Sequence, residues 1–239
     1  MKKCMTLLAV IAVMGLALAS KVEAVVIYQE NFDDGTANGF TLSGLWHVTT
    51  NYPESGTSAL GYVQNETALS GTPDGDFNIG NVSATAFGPS VAIPSGTTTL
   101  TFDAFVGDEF NVQPNSFDQF SVWASLDGST LNTALASSAP SAGGVTIPEW
   151  GGVPGYNPII VDLSSFSGNN IFLAYRFASL DGLFNSYPGV RVDNLLIENV
   201  GGDGDGQQGP TIPEPATLLL FGLGTLGAAL TSRRRNLLP

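Results

Sequence analysis

Apolar and polar residues alternate through the middle of this chain with a period of two. Leu100, Phe102, Ala104 and Val106 are interleaved with Thr101, Asp103 and Phe105, the spacing of a strand that turns one face to a core. The same alternation sets Phe120, Val122, Ala124 and Leu126 on one side of a second strand. It sets Ile171, Leu173, Tyr175 and Phe177 on a third, and Val190, Val192, Asn194 and Leu196 on a fourth. Turn-forming pairs lie between the runs: Asp34-Gly35, Asn38-Gly39, Asp74-Gly75, Asp127-Gly128, Gly168-Asn169 and Asp181-Gly182. Ser125-Leu-Asp-Gly128 and Ser179-Leu-Asp-Gly182 each end a strand, which reads as one hairpin solution used twice. With 29 glycines in 239 residues and little helical periodicity, the pattern predicts an all-β fold, an antiparallel β-sandwich.

The two ends of the chain break this pattern. Met1-Lys2-Lys3 is a positive start, Leu7 to Ala19 is an apolar run, and Val22-Glu23-Ala24 has small residues where a secretory signal is cut. Residues 1–24 therefore read as a signal peptide for the Sec machinery, with cleavage after Ala24 and a mature chain from Val25. The single cysteine, Cys4, precedes the apolar run, so it is misplaced for lipidation and departs with the signal. The exported domain, residues 25–200, then has no disulfide, no thiolate metal site and no thiol nucleophile. It has the length of one domain with a packed core.

At the other end, Gly201-Gly-Asp-Gly-Asp-Gly-Gln-Gln-Gly-Pro210 is a flexible polar linker within residues 201–211. Beyond it come Pro213-Glu214-Pro215, an apolar stretch over 216–230 and then Arg233-Arg234-Arg235. The stretch is short of the ~20 residues that span a full bilayer, and the arginines belong on the cytoplasmic side. In this order at a C-terminus, residues 212–235 closely resemble the PEP-CTERM sorting signal of bacteria that carry an exosortase. The resemblance implies transient anchoring in the inner membrane and processing by exosortase. It also implies delivery to the envelope, surface or extracellular matrix of a Gram-negative-type bacterium.

Charge narrows the function. Once the signal lysines and the terminal arginines are set aside, only Arg176 and Arg191 remain as basic residues, against nineteen of the chain's 21 acids between Glu30 and Asp205. Such a surface repels nucleic acid and anionic lipid. It suits a protein kept soluble by repulsion, or one that binds divalent cations.

A second resemblance runs through the exported domain. Glu30-Asn-Phe-Asp-Asp-Gly35, Ser43-Gly-Leu-Trp-His47, Leu100-Thr-Phe-Asp-Ala104, Val161-Asp-Leu-Ser-Ser-Phe166 and Gly189-Val-Arg-Val-Asp-Asn-Leu-Leu-Ile-Glu198 resemble landmarks of jelly-roll domains of the MAM and cleaved-adhesin kind, in order. The resemblance implies adhesion, protein contact or sugar binding, and a structural calcium. Hard cations take clustered carboxylates and carbonyls, and the candidate ligands are Glu30, Asp33, Asp34 and Asp193. An equal reading makes Asp33-Asp34-Gly35 a plain turn and pairs Asp193 with Arg191 or Arg176. Asp74, Asp76, Asp203 and Asp205 are weaker candidates, without the further ligands of a calcium loop.

Catalytic motifs are thin. His47 is the only histidine, which excludes a multi-histidine zinc site and leaves a serine triad one possible base. No nucleophile elbow and no phosphate-binding loop with lysine is present. A glycosidase with a pair of carboxyls stays open as the alternative to a non-enzymatic adhesion or carbohydrate-binding module. For binding, Trp123 falls between Ser121 and Ser125, opposite the apolar face of its strand. Exposed, it offers a stacking platform to extracellular polysaccharide or to a surface protein, with Asp103 and Arg176 as polar neighbours if their strands adjoin. Covered by a loop, it is core. Trp150, in a Pro/Gly-rich loop, is the other aromatic candidate.

The prolines of the sorting signal hold an extended backbone that a protease cleft accepts. Replacing Pro213, Glu214 and Pro215 together with alanine is expected to leave a longer, membrane-retained species. Mass spectrometry of the mature protein checks this, and an unchanged mature mass refutes processing at the motif.

Overall fold

In the computed structural model, which describes residues 24–108, 117–139, 143–149, 155–183 and 185–201, the alternating segments are strands. They are β1 (Val25–Glu30), β2 (Trp46–Thr49), β3 (Ala59–Tyr62), β4 (Ser83–Ala92), β5 (Thr97–Gly107), β6 (Asp118–Ser125), β7 (Thr133–Ser137), β8 (Val145–Thr146), β9 (Asn157–Asp162), β10 (Asn170–Ser179) and β11 (Gly189–Val200). One 3-10 turn, Ser164–Phe166, is the helical element among them. The chain divides into two units, 1–203 and 204–239, and every described residue belongs to the first. Most of the signal segment, the linker beyond Gly201, Pro213 to Arg235 with the apolar stretch 216–230, and Trp150 lie outside the described residues. Ala24 is the first described residue and is exposed. Among the described residues no helix is long and apolar enough to cross a membrane.

Two sheets form the sandwich. The first has the order β2, β3, β11, β5, β9, with β1 also on β11; the second runs β4, β10, β6, β7, β8. All pairings are antiparallel except β7 with β8. Strand β11 organises the first sheet. It carries β5 along one edge, and on the other edge β3 opposite Val190 to Val192 and β1 opposite Leu195 to Asn199.

The inward phases of β5, β6 and β10 follow the sequence: Leu100, Phe102, Ala104, Val106, Phe120, Val122, Ala124, Ile171, Leu173, Tyr175 and Phe177 are all in the core. Leu126 lies past the end of β6 and is 56% exposed. In β11 the phase changes. The register against β5 shifts between Asp193 and Leu196, and Asn194 sits at φ 52°, a left-handed conformation that Asn tolerates better than most residues. Val190 and Val192 point inward, then Leu195 and Ile197. The alternation that grouped Asn194 and Leu196 with the valines is therefore corrected, because one bulge residue moves every later side chain to the other face.

Aromatic rings close the core from both sheets. Tyr62 stacks on Phe177 at 4.6 Å, Phe102 meets Tyr175 edge-on at 5.9 Å, and Trp46 reaches Phe120 at 6.3 Å. Each buried phenylalanine ring contributes about 1.5–3 kcal/mol.

Asn194 gives the bulge its test. Asn194→Val and Asn194→Gly both lose the side-chain hydrogen bonds with Ser55 Oγ and Asp103 Oδ2. Only valine adds the cost of a β-branched residue in left-handed backbone. Urea unfolding is expected to find Asn194→Val less stable than Asn194→Gly by about 1–3 kcal/mol.

Candidate functional site

Strand β6 sends Phe120, Val122 and Ala124 inward, which leaves Ser121, Trp123 and Ser125 on the outer face of the second sheet. Its neighbour β10 sets Ala174 opposite Trp123 and Arg176 opposite Ser121. Next to β10, β4 sets Phe87 opposite Ala174 and Thr85 opposite Arg176. Two rows therefore cross the sheet: Trp123, Ala174, Phe87 and, beside it, Ser121, Arg176, Thr85. Two strand spacings separate the outer members of a row, roughly 10 Å. Trp123, Phe87, Phe172 and Arg176 are half-buried, whereas Ala174 is fully buried. The row is a shallow, aromatic-lined trough in which Trp123 and Phe87 stand on either side of a fully covered Ala174.

The trough is held in shape. Trp123 Nε1 donates to Ser121 Oγ at 2.9 Å, which fixes the indole. Phe172 lies under the turn after β6, where a Cβ on Gly128 would come within 3.2 Å of its ring. That turn is tied by Asp127, whose carboxylate accepts from the Ser129 and Thr130 amides and the Thr130 hydroxyl at 2.7–2.8 Å. These donors hold the Asp127 carboxyl far below the usual range.

On the strands of this sheet the outward charge is one-sided. The strands of the second sheet carry a single carboxylate, Asp118, in step with inward-facing Phe120. Among the described residues no carboxylate lies within ion-pair distance of Arg176. Arg176 is thus the polar neighbour of Trp123 that the sequence anticipated. Asp103 is not. Its strand, β5, pairs with β9 and β11 in the other sheet, and its carboxylate accepts from Asn194 Nδ2 at 2.9 Å. The strand pairing, invisible in local pattern, puts Asp103 and Trp123 on opposite sides of the sandwich.

Two of the acids offered to calcium, Asp33 and Asp193, hold the loop 54–58. Asp193 is fully buried, and its Oδ2 accepts from the Glu54 and Ser55 amides, each at 3.1 Å. Asp33 Oδ1 accepts from the Thr57 amide at 2.6 Å and the Ser58 amide at 3.3 Å. Gly56, at φ 62°, packs so closely on Asp33 that a Cβ would fall 2.0 Å from its carboxylate oxygen. Glu30 Oε1 accepts from the Phe32 amide, and exposed Asp34 caps Thr36. Among the described residues no group of three or more His, Cys, Asp or Glu is placed to hold a metal ion. Desolvation first, with the Asp33 charge adding to it, pushes the Asp193 carboxyl up to about 6.

Arg191 does not pair with Asp193. It is fully buried on the outer face of the first sheet, where its guanidinium donates to Pro188 O, Asn51 Oδ1 and Asp74 O. Glu66 stands 3.6 Å away, and the Phe105 ring centroid is 5.8 Å from the guanidinium carbon. Glu66 also accepts from His47 Nε2 at 2.8 Å, while His47 Nδ1 donates to Leu45 O at 2.8 Å. Both ring nitrogens face acceptors, and the Glu66 bond raises the His47 pKa above its ordinary value. The histidine is a strut between loops.

Sequence reasoning missed Phe87, Phe172 and Ala174. The signal was available in β10: Phe172, Ala174 and Arg176 occupy the outward phase of the same alternation that buries Ile171 to Phe177.

Comparison with known proteins divides along the chain. Residues 211–235 match the PEP-CTERM protein-sorting motif, which marks an exported protein. No curated protein matches the chain. Among solved structures, the K3 cleaved adhesin domain of Lys-gingipain from Porphyromonas gingivalis is similar at 17% identity and TM-score 0.46, covering 72% of this chain and 98% of that one. A Caldicellulosiruptor saccharolyticus module, CBM27-1, solved with mannohexaose, is similar at 17% identity and TM-score 0.43, covering 74% and 97%. TmCBM61, solved with β-1,4-galactotriose, is similar at 12% identity and TM-score 0.42, covering 71% and 94%.

Asp193 predicts a pH dependence. Its folded-state pKa, about 6, lies above its ordinary 3.8. Its contribution to stability is thus complete below about 4 and is lost as pH rises through 6. Urea unfolding at several pH values across this window is expected to show a decline in the wild type that Asp193→Asn lacks. Parallel profiles would remove Asp193 as the source.

Proposed function

We propose that this exported protein is a non-enzymatic carbohydrate-binding module of the cell surface or extracellular matrix, and that it binds polysaccharide in the trough of Trp123, Ala174 and Phe87. The observation that carries this reading is the cross-strand row itself. Two partly exposed aromatic side chains flank a buried alanine on an otherwise regular sheet, with the Thr85 hydroxyl and the Arg176 guanidinium beside them. Aromatic faces supply apolar contact to the C–H side of a sugar ring, and adjoining polar groups orient its hydroxyls. Thr85 and Arg176 stand in the neighbouring row for that purpose, while buried Ser121 holds the indole through Trp123 Nε1.

The alternative, glycoside hydrolysis, requires two carboxyls on either side of the scissile bond. The strands under the trough offer none on that face, which favours binding without cleavage. Export fits the same picture: the sorting motif implies passage through the inner membrane and processing by exosortase, so the module acts where extracellular polysaccharide is found.

Trp123→Ala tests the reading. In affinity electrophoresis through gels containing the producing cell's own extracellular polysaccharide, the variant is expected to lose most of the wild-type retardation. Its melting temperature should fall only slightly, since the roughly 3–5 kcal/mol cost of truncating a large aromatic applies to fully buried rings. A large drop in melting temperature with unchanged retardation would make Trp123 a core residue and refute the site.

A further inference from the structure

We infer that the glycan recognised in this trough is an acidic one, bearing uronate carboxylates, and that Arg176 is the residue that selects it. The inference rests on the proposed binding face and adds a substrate class to it. Its ground is local charge. The protein carries a formal net charge of −13, and Arg191, the other arginine of the exported domain, is fully buried and spent on Asn51, Asp74, Pro188 and Glu66. Arg176 is half-buried, beside the aromatic row, on strands with no outward-facing carboxylate. Among the described residues no carboxylate lies within ion-pair distance of Arg176, which leaves its guanidinium to take an anion from outside.

The geometry suits a carboxylate on a ring. Arg176 lies opposite Ser121 and is therefore the diagonal neighbour of Trp123, roughly 7–8 Å away across the ladder. A pyranose stacked on the indole would direct a substituent on its rim toward the guanidinium. Thr85, on the far side of Arg176, supplies a hydroxyl to the same row. The planar fork of arginine matches a carboxylate with two parallel hydrogen bonds, a pairing that the single point charge of lysine does not reproduce. The acids on the rest of the surface repel a polyanion, so they confine its attachment to this face.

The test compares polygalacturonate with neutral galactan of similar length, titrated into the purified full-length chain by calorimetry. Wild type is expected to bind polygalacturonate about tenfold or more tightly than galactan, the size of one charge-assisted pair. Arg176→Gln should abolish that preference, weakening polygalacturonate binding far more than galactan binding at an unchanged melting temperature, and Arg176→Lys should restore it only in part. Trp123→Ala should weaken both ligands. Equal affinities in the wild type, or a preference that survives in Arg176→Gln, overturn the selection of acid while leaving the trough in place if Trp123→Ala still weakens binding. A sulfated glucan bound as tightly as polygalacturonate overturns the carboxylate as the group selected. Binding that is indifferent to Trp123→Ala overturns the site, and this inference with it.

Discussion

A guanidinium sealed away from water must find its hydrogen-bond partners inside the protein, and Arg191 imposes that demand on half the chain. Leaving such a group unpartnered costs several kcal/mol, so the segments that satisfy it are obliged to be where they are. Asn51 comes from the end of β2, Asp74 and Glu66 from the long connection between β3 and β4, and Pro188 from the approach to β11. His47 braces Glu66 from behind. Together these segments roof the outer face of the first sheet, and Tyr52, Phe105 and Tyr156 fill the space below with rings 5.6–6.2 Å apart.

This roof assigns roles to the two sheets. One outer face becomes a second, smaller core, with a buried charge as its specifying element. The other keeps its outward row of Trp123, Ala174 and Phe87 partly open. The strand that bears the roof, β11, changes phase at Asn194, and just there β3 gives way to β1 along its edge. Asp193 stands at that gap and draws the loop 54–58 across it through two amides. The bulge, the buried aspartate and the loop are thus one device for closing the junction between two strands laid end to end.

Much of this was legible in the residues. The inward phases of β5, β6 and β10 follow from alternation alone, since each strand packs one face and a period of two leaves no second choice. Trp123 announced itself by falling out of phase with its apolar neighbours, and the structure keeps it half-exposed. What could not be read was non-local. Whether Asp103 joins Trp123 depends on which sheet takes β5, decided by pairing with β11 across some ninety residues. The partners of Arg191 lie up to 140 residues away in sequence, so a neighbouring Asp193 looked the natural counter-ion. The Asn194 bulge escaped notice because a single left-handed asparagine leaves the composition of a strand unchanged.

The position of β11 has a mechanical side. It ends at Val200, the point from which the chain runs on toward its sorting signal, and it is bonded along both edges, to β5 on one and to β3 and β1 on the other. When the domain is gripped through its second sheet and pulled by that C-terminal tether, the force enters an interior strand along its own axis. Hydrogen bonds on both sides then bear the load in shear, together, and cannot be peeled off one by one from an exposed edge. A module built this way meets a pull on its C-terminal end with an interior strand.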